Sequence, residues 1–493
     1  TASVLSSAIK IPSHFYIIFF IILFNFISHF LPPERPALSP DEYGELSATH
    51  SRSIHDFLTS HRPMRSLFLT LQETYINLNT TKGFIYIILS SYLFLFSIYL
   101  LMAQIFNQLL AGLITVFYIL LPNKLDLYHT LIYANINVAY ALYVLSFYFF
   151  IVFTKKHKLF YFLLSIFSYS IAIFWYEVGF FLPLILGAYA FLYNKPKVKF
   201  VIYFLIPAAL FLLFQFTVME GGHNVVSIST VLYNFFIMFP NHYMGRYIIR
   251  AIVYALYRFP TIEMPWIGII TLINIALFYF SVSFVSKKVE FPSIDKRQII
   301  LAITIMFVFI LPSSLYIIES RHTGLASVGF VMLLPFCFSR IRFHAKKVLI
   351  ASCFVMLMVC QGTAWNQVVA CRIVASVFQH IKNHKNEILS SRAVIIDQYD
   401  FSRSIPYTFG EKQMNMLDNY WGMQAFAPWG LYAMVKIATR YDKPIYIVRS
   451  KIEEVNGQLK FDKQPALKKE GIFMINYHTV YKGTFKNGRV AKY

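Results

Sequence analysis

The feature that most constrains this chain is a succession of long apolar runs punctuated by short clusters of lysine and arginine. Several of the runs reach the roughly 20 residues that a helix needs to cross a hydrocarbon core. Lipid offers no water to open sheet edges, so helices are the default for runs of this kind. Composition agrees: 57% of the 493 residues are hydrophobic and 14% are charged, against roughly a quarter charged in an ordinary soluble protein. The predicted fold class is an α-helical polytopic membrane protein with about eleven transmembrane helices. The predicted spans are Ile11–Leu31, Gly83–Ala103, Leu110–Leu121, Leu131–Thr154, Leu159–Trp175, Phe180–Tyr193, Phe200–Val218, Ile267–Val285, Ile299–Ile318, Leu325–Phe338 and Val348–Trp365.

The net charge of +21 suggests nucleic acid at first sight, but the cations do not form one patch. They lie in short loops: Lys155-Lys156-His157-Lys158, Lys195 to Lys199, Lys287-Lys288 with Lys296-Arg297, and Arg340 to Lys347. With the N-terminus inside, every one of these loops falls on the cytoplasmic side, as the positive-inside rule demands. The acidic turns then gather on the opposite face: the insert at 32–82 with Asp41, the turn with Asp126 and His129, the turn at Glu177, the insert at 219–266, the turn at Glu319, and the C-terminal tail. The four cysteines, Cys337, Cys353, Cys360 and Cys371, have no metal-type spacing and fit packing roles. The first apolar run lacks a small-residue cleavage site and reads as a retained span.

Residues after Asn366 change character, with more charge and shorter apolar runs. Two domains are predicted, a membrane domain over 1–366 and a small extracytoplasmic α/β domain over 367–493. Ala393–Ile396, Ile445–Val448 and Ile472–Asn476 read as buried strands, with a helix at Met423–Thr439 between them. No Gly-rich phosphate loop is present there.

Chemistry is concentrated where the chain leaves the first span. Pro40 is followed by two adjacent carboxylates, Asp41 and Glu42, and Asp41–Ser60 has the spacing of a surface helix. Neighbouring helical side chains diverge by about 100°, so the two acids are suited to different tasks, one as a base and one as a metal or substrate ligand. A purely structural account also fits: Ser39 as N-cap, Pro40 at the first position, and acids facing the helix dipole. Glu177 lies at a span end inside Trp175-Tyr176-Glu177-Val178-Gly179, where an acidic group is a functional candidate by default. His242 stands beside Tyr243 after Pro240. Arg246 and Arg250, with Arg258, suit either phosphate or lipid headgroups. Asn135 and Asn137 read as interhelical glue. Asp397, Tyr399 and Asp400 follow a strand and suit either a glycan or a turn.

The layout resembles the C-type glycosyltransferase superfamily, membrane enzymes that use polyprenyl-phosphate sugars. The resemblance rests on Pro40-Asp41-Glu42-Tyr43 after the first span, on His61-Arg62-Pro63-Met64, on Trp175 to Pro183, and on Glu319-Ser320-Arg321-His322 before a run ending in Leu334-Pro335. His322 and Thr323 depart from the aromatic and apolar residues more usual in the late turn. The resemblance implies transfer of a sugar from a polyprenyl-phosphate donor to a glycan, lipid or protein acceptor. It implies inversion, with Asp41 as base and Glu42 positioning the acceptor or sharing a divalent cation (Mg or Mn). Arg321, His322, Arg246 and Arg250 would hold phosphate, while Arg62, Glu177, His242 and Glu319 would line the substrate. It also implies a multi-pass protein, in a bacterium an inner-membrane one with a periplasmic site. A transporter or flippase of a lipid-linked or anionic substrate is the alternative, but it would favour midplane charges and paired halves, neither of which is visible. A third possibility is a non-catalytic scaffold whose outer domain binds a partner.

Overall fold

A computed structural model of the chain describes residues 13–30, 79–121, 131–218, 227–238, 295–314, 322–340, 374–400, 428–461 and 464–481, with a few positions between them that include Arg62, Pro63 and Met64. The membrane part is helical: α1 (Ser13–His29), α2 (Thr80–Ile105), α3 (Gln108–Leu120), α4 (Leu131–Lys156), α5 (Leu159–Trp175), α6 (Leu182–Tyr193), α7 (Leu205–Val218), α8 (Lys296–Ser314) and α9 (Thr323–Arg340). Among the described residues, four helical stretches are long and apolar enough to cross a membrane: Thr80–Ile105, Ala134–Lys156, Lys195–Thr217 and Lys296–Ser314.

Several predicted spans are shorter or differently built. α3 has 13 residues, a rise of about 20 Å, which falls short of a hydrocarbon core about 30 Å thick. Eleven of those residues are buried, so α3 packs among its neighbours on nearly every side. The span predicted from Phe200 starts instead at Lys195, as a ten-residue 3₁₀ segment (Lys195–Phe204) that runs into α7. Most of the predicted span Ile267–Val285, the surface helix Asp41–Ser60 and most of Val348–Trp365 lie outside the described residues.

Local chemistry sets the helix ends. Asn79 and Asn107 cap α2 and α3, accepting the backbone N–H of Lys82 at 3.1 Å and Leu110 at 2.9 Å. Small polar residues bring helices close, because lipid supplies no hydrophobic drive between them. Between α4 and α5 the hydroxyl of Ser146 donates to the carbonyl of Ser165 at 2.8 Å, and that of Ser165 donates back to Ser146 at 2.6 Å. The asparagine pair of α4 has the expected gluing role. Asn135 accepts from the Tyr86 hydroxyl at 2.6 Å, and Asn137 donates to the Leu127 carbonyl at 2.8 Å.

The bundle has two distinct ends. His14 meets the Tyr99 hydroxyl at 2.7 Å at one, and His29 meets the Ile119 carbonyl at 2.8 Å at the other. The chain runs between them, so Lys155, Lys195 and Lys296 share the His14 end, and Glu177, Ser314 and His322 share the His29 end.

The C-terminal region contains a parallel three-stranded sheet in the order β2 (Ile445–Val448), β1 (Ala393–Asp397), β6 (Ile472–Ile475). All five residues of β1 are buried, as a central parallel strand requires. A helix, Pro428–Thr439, lies in the chain between β1 and β2. A separate antiparallel meander, β3 (Glu453–Val455), β4 (Gln458–Lys460) and β5 (Leu467–Lys468), was not anticipated from the sequence. Its hairpin turns on Asn456-Gly457, both at positive φ (51° and 71°), the pair that a two-residue hairpin favours. The parallel sheet packs toward the His29 end of the bundle, where Phe30, Ile87 and Ala134 share a buried cluster with Val377, Ile381, Val394, Leu431 and Ile475.

Candidate functional site

At the His29 end, three residues singled out in the sequence come together. Arg62 lies just before Pro63, Glu177 opens the 3₁₀ turn after α5, and His322 immediately precedes α9. The Arg62 guanidinium forks onto the Glu177 carboxylate, with Nε donating to Oε2 at 2.8 Å and a terminal nitrogen donating to Oε1. Two parallel donors fix orientation as well as charge, which a lysine could not do. The guanidinium carbon also sits 4.7 Å from the centroid of the Tyr176 ring. That ring in turn lies nearly parallel to His322, at 6.3 Å and 9°. The result is a chain of contacts, Glu177 to Arg62 to Tyr176 to His322, joining three segments far apart in sequence. Both ion-pair side chains keep a little over a fifth of their surface exposed, 23% for Arg62 and 22% for Glu177, so the pair borders solvent or a ligand.

Tyrosines from the spans hold this turn in place. The Tyr143 hydroxyl donates to the Tyr176 carbonyl at 2.7 Å, and the Tyr169 hydroxyl donates to the Phe180 carbonyl at 2.7 Å. The Tyr118 hydroxyl donates to the Gly324 carbonyl at 3.0 Å, fixing the start of α9. The Tyr176 carbonyl caps the C-terminal end of α5, where backbone acceptors are otherwise left over, while Phe180 and Gly324 lie at the starts of α6 and α9. Close approach of the rings demands glycine. A Cβ on Gly179 would stand 2.4 Å from Tyr143, and one on Gly324 would stand 2.6 Å from Tyr140.

Sequence reasoning passed over these tyrosines. The signal was there: a buried phenol needs a partner, and 34 tyrosines in so apolar a chain imply many such anchors.

Asp41, Glu42, His242, Arg246, Arg250, Glu319 and Arg321, together with Asp126 and His129, lie outside the described residues. Among the described residues, no three His, Cys, Asp or Glu side chains form a group that could hold a metal ion. The carboxylates that the sequence offers a divalent cation, Asp41 and Glu42, are not among them. In the C-terminal region Asp397, at the end of β1, accepts the backbone N–H of Asp400 at 2.9 Å, so turn chemistry accounts for it. Asp400 faces His478, after β6, at 3.8 Å.

The fold defines an integral membrane protein, mostly helical, with a small sheet region near its C-terminus. No family model matches the chain, and no curated protein matches it. Among solved structures, it is similar to an oligosaccharyltransferase of Archaeoglobus fulgidus, crystallised as a complex with Zn and sulfate. The TM-score is 0.46 and the identity 11%, over 87% of this chain and 62% of that one. The chain thus spans less than two thirds of that neighbour's length.

Proposed function

We propose that this protein is a membrane glycosyltransferase that moves a sugar from a polyprenyl-phosphate donor to a glycan, lipid or protein acceptor at the His29 end of the bundle. The observation that carries the reading is the convergence of Arg62, Glu177 and His322 in one partly exposed cluster. These are all the proposed site residues that fall among the described ones. Three segments that carry the family-like motifs therefore border one place, rather than pointing to different sides of the bilayer.

In this reading Asp41 takes the proton from the acceptor hydroxyl as its oxygen attacks the anomeric carbon, and the bond to the lipid phosphate breaks with inversion. Positioned bases of this kind contribute about 10²–10⁴ to the rate. Glu42 orients the acceptor. Asp41 and Glu42 are also the residues that would hold a divalent cation, which would neutralise charge on the leaving phosphate. Arg321 and His322, with Arg246 and Arg250, face that phosphate, where preorganised donors stabilise the departing charge. The Arg62–Glu177 pair serves as a wall of the substrate cavity and keeps the segment after the first span docked beside the late turn. His242 and Glu319 line the remainder.

The test is sugar transfer by the full chain reconstituted with a polyprenyl-phosphate sugar. Asp41→Asn is expected to lower kcat by about 10²–10⁴, with the protein still folded by thermal melting. Full activity in that variant would remove Asp41 as the base. A substrate that crosses sealed vesicles with its sugar–phosphate bond intact would point to a flippase instead.

A further inference from the structure

The opposite end of the bundle carries a feature that the transfer reading does not use. Three turns meet there: Lys155 and Lys156 close α4 and Lys158 precedes α5; Lys195, Lys197 and Lys199 lie in the 3₁₀ segment before α7; and Lys296 and Arg297 open α8. Direct contacts tie these turns together. The Asn194 side chain donates to the Thr154 carbonyl at 3.1 Å, Lys155 Nζ donates to the Gln104 carbonyl at 2.8 Å, and the Gln298 side chain donates to the Ile105 carbonyl at 3.2 Å. None of these eight cations is in an ion pair with a described carboxylate. The described acid nearest in sequence, Asp295, accepts the backbone N–H of Arg297 at 2.8 Å.

Two further observations say what the surface faces. The lipid-directed apolar band begins immediately beside the cations. Leu159 and Phe160, next to Lys158, are 59% and 64% exposed, and Ile202, three residues after Lys199, is 63% exposed. The ammonium groups therefore stand at headgroup depth. They are also seated on rings. Lys195 lies 5.3 Å from the Phe191 centroid, Lys197 lies 4.5 Å from Phe153 and 5.0 Å from Phe200, and Lys199 lies 5.7 Å from Phe200. A 3₁₀ helix has three residues per turn, so lysines at alternate positions fan around its axis instead of forming one stripe. An ammonium over a ring face keeps N–H donors for a second partner.

We propose that this basic end is a binding surface for the phosphate headgroups of anionic phospholipids, with Lys195, Lys197 and Lys199 as its centre. The occupant is a lipid and not a free phosphate, because the apolar surface beside the lysines would take the acyl chains. Each lysine near an anionic surface is worth about a fivefold preference at low salt, and three of them act together.

The experiment uses the full chain in nanodiscs of phosphatidylcholine alone, or of phosphatidylcholine and phosphatidylglycerol in equal parts. Lipid retained through detergent extraction and thermal melting are both read. The expected result is enrichment of phosphatidylglycerol over phosphatidylcholine by about tenfold or more, with a higher Tm in the mixed disc. The variant K195Q/K197Q/K199Q should lose most of that enrichment, and K195R/K197R/K199R should keep it. Should the glutamine variant fail to fold, raised salt applied to the unaltered protein must abolish the enrichment. Equal retention of the two lipids, undiminished enrichment in a folded glutamine variant, or the same Tm rise with inorganic phosphate alone would each overturn the proposal.

Discussion

Glu177 shows how far one side chain's environment reaches. It stands where α5 gives way to a 3₁₀ turn, accepts two donors of Arg62, and so ties the segment after the first span to the turn that follows α5. The pair is about three-quarters buried, so solvent screening is reduced but not absent. A double-mutant cycle of Arg62→Ala and Glu177→Gln, read by thermal unfolding, is expected to give a coupling of about 1 kcal/mol. Arg62→Lys should recover less than half of it, since lysine lacks the fork. Asp397 is a second case. Burial pushes its carboxyl above the ordinary 3.8, helped by the Asp400 carboxylate and opposed by the N–H groups of Asp400 and Tyr399. A carboxyl raised on folding makes the native state bind more protons than the unfolded chain. Its stabilising contribution is full below the ordinary value and is lost as pH rises through the raised one. Asp397→Asn should therefore flatten the decline of stability from acid toward neutral pH. An unchanged slope in hydrogen exchange at β1 would contradict this.

At the scale of elements, helix contacts are set by what is small. α8 and α9 approach so closely that a Cβ on Gly329 would stand 2.4 Å from the Ala302 carbonyl oxygen and 2.6 Å from the Met306 nitrogen. Both are backbone atoms and cannot swing aside, so Gly329→Ala must push the helices apart. Such overpacking costs about 1–3 kcal/mol, and with two backbones involved the upper end is expected in thermal melts. Gly187 in α6 is the control, since its added Cβ would meet only Val201 Cγ1 at 3.9 Å, and Gly187→Ala should melt no lower than the parent. Two helices also carry internal prolines, Pro312 in α8 and Pro335 in α9. Helices in lipid tolerate them when neighbours re-satisfy the freed carbonyl. Separately, the Ser314 carbonyl, an end-of-helix acceptor that no intrahelical N–H reaches, accepts from the Asn234 side chain at 2.9 Å.

On the scale of the molecule, the two ends differ in chemistry. Lysines without described acidic partners occupy one, and the Arg62–Glu177–His322 cluster with the nearby sheet region occupies the other. Cysteines introduced at exposed Lys199 and at exposed Gln458 of β4 should react with an impermeant maleimide from opposite sides of sealed vesicles. Labelling of both from one side would show that the ends are not separated by a bilayer.

What the residues alone determined was periodicity and polarity. Apolar runs and lysine clusters are local properties, and they announced α1 to α9, the edge of the Trp175–Gly179 turn, and the strands β1, β2 and β6. Glu177 could be nominated because an acidic group at a span end is conspicuous against its neighbours, and Arg62 and His322 because they stand in stretches that resemble the motifs of a known family. Their meeting could not be foreseen, since pairing across more than a hundred residues depends on how helices pack, and packing depends on steric fit that no window of sequence contains. The same holds for the tyrosine hydroxyls that hold the turn, and for the near-complete burial of α3 among its neighbours. The antiparallel meander is the opposite case: Asn456-Gly457 was a legible hairpin signal, flanked by strands too short and too exposed to show an apolar alternation. Only the tertiary structure decided which polar groups face one another, because charge and hydrogen bonding act over ångströms in space and not along the chain.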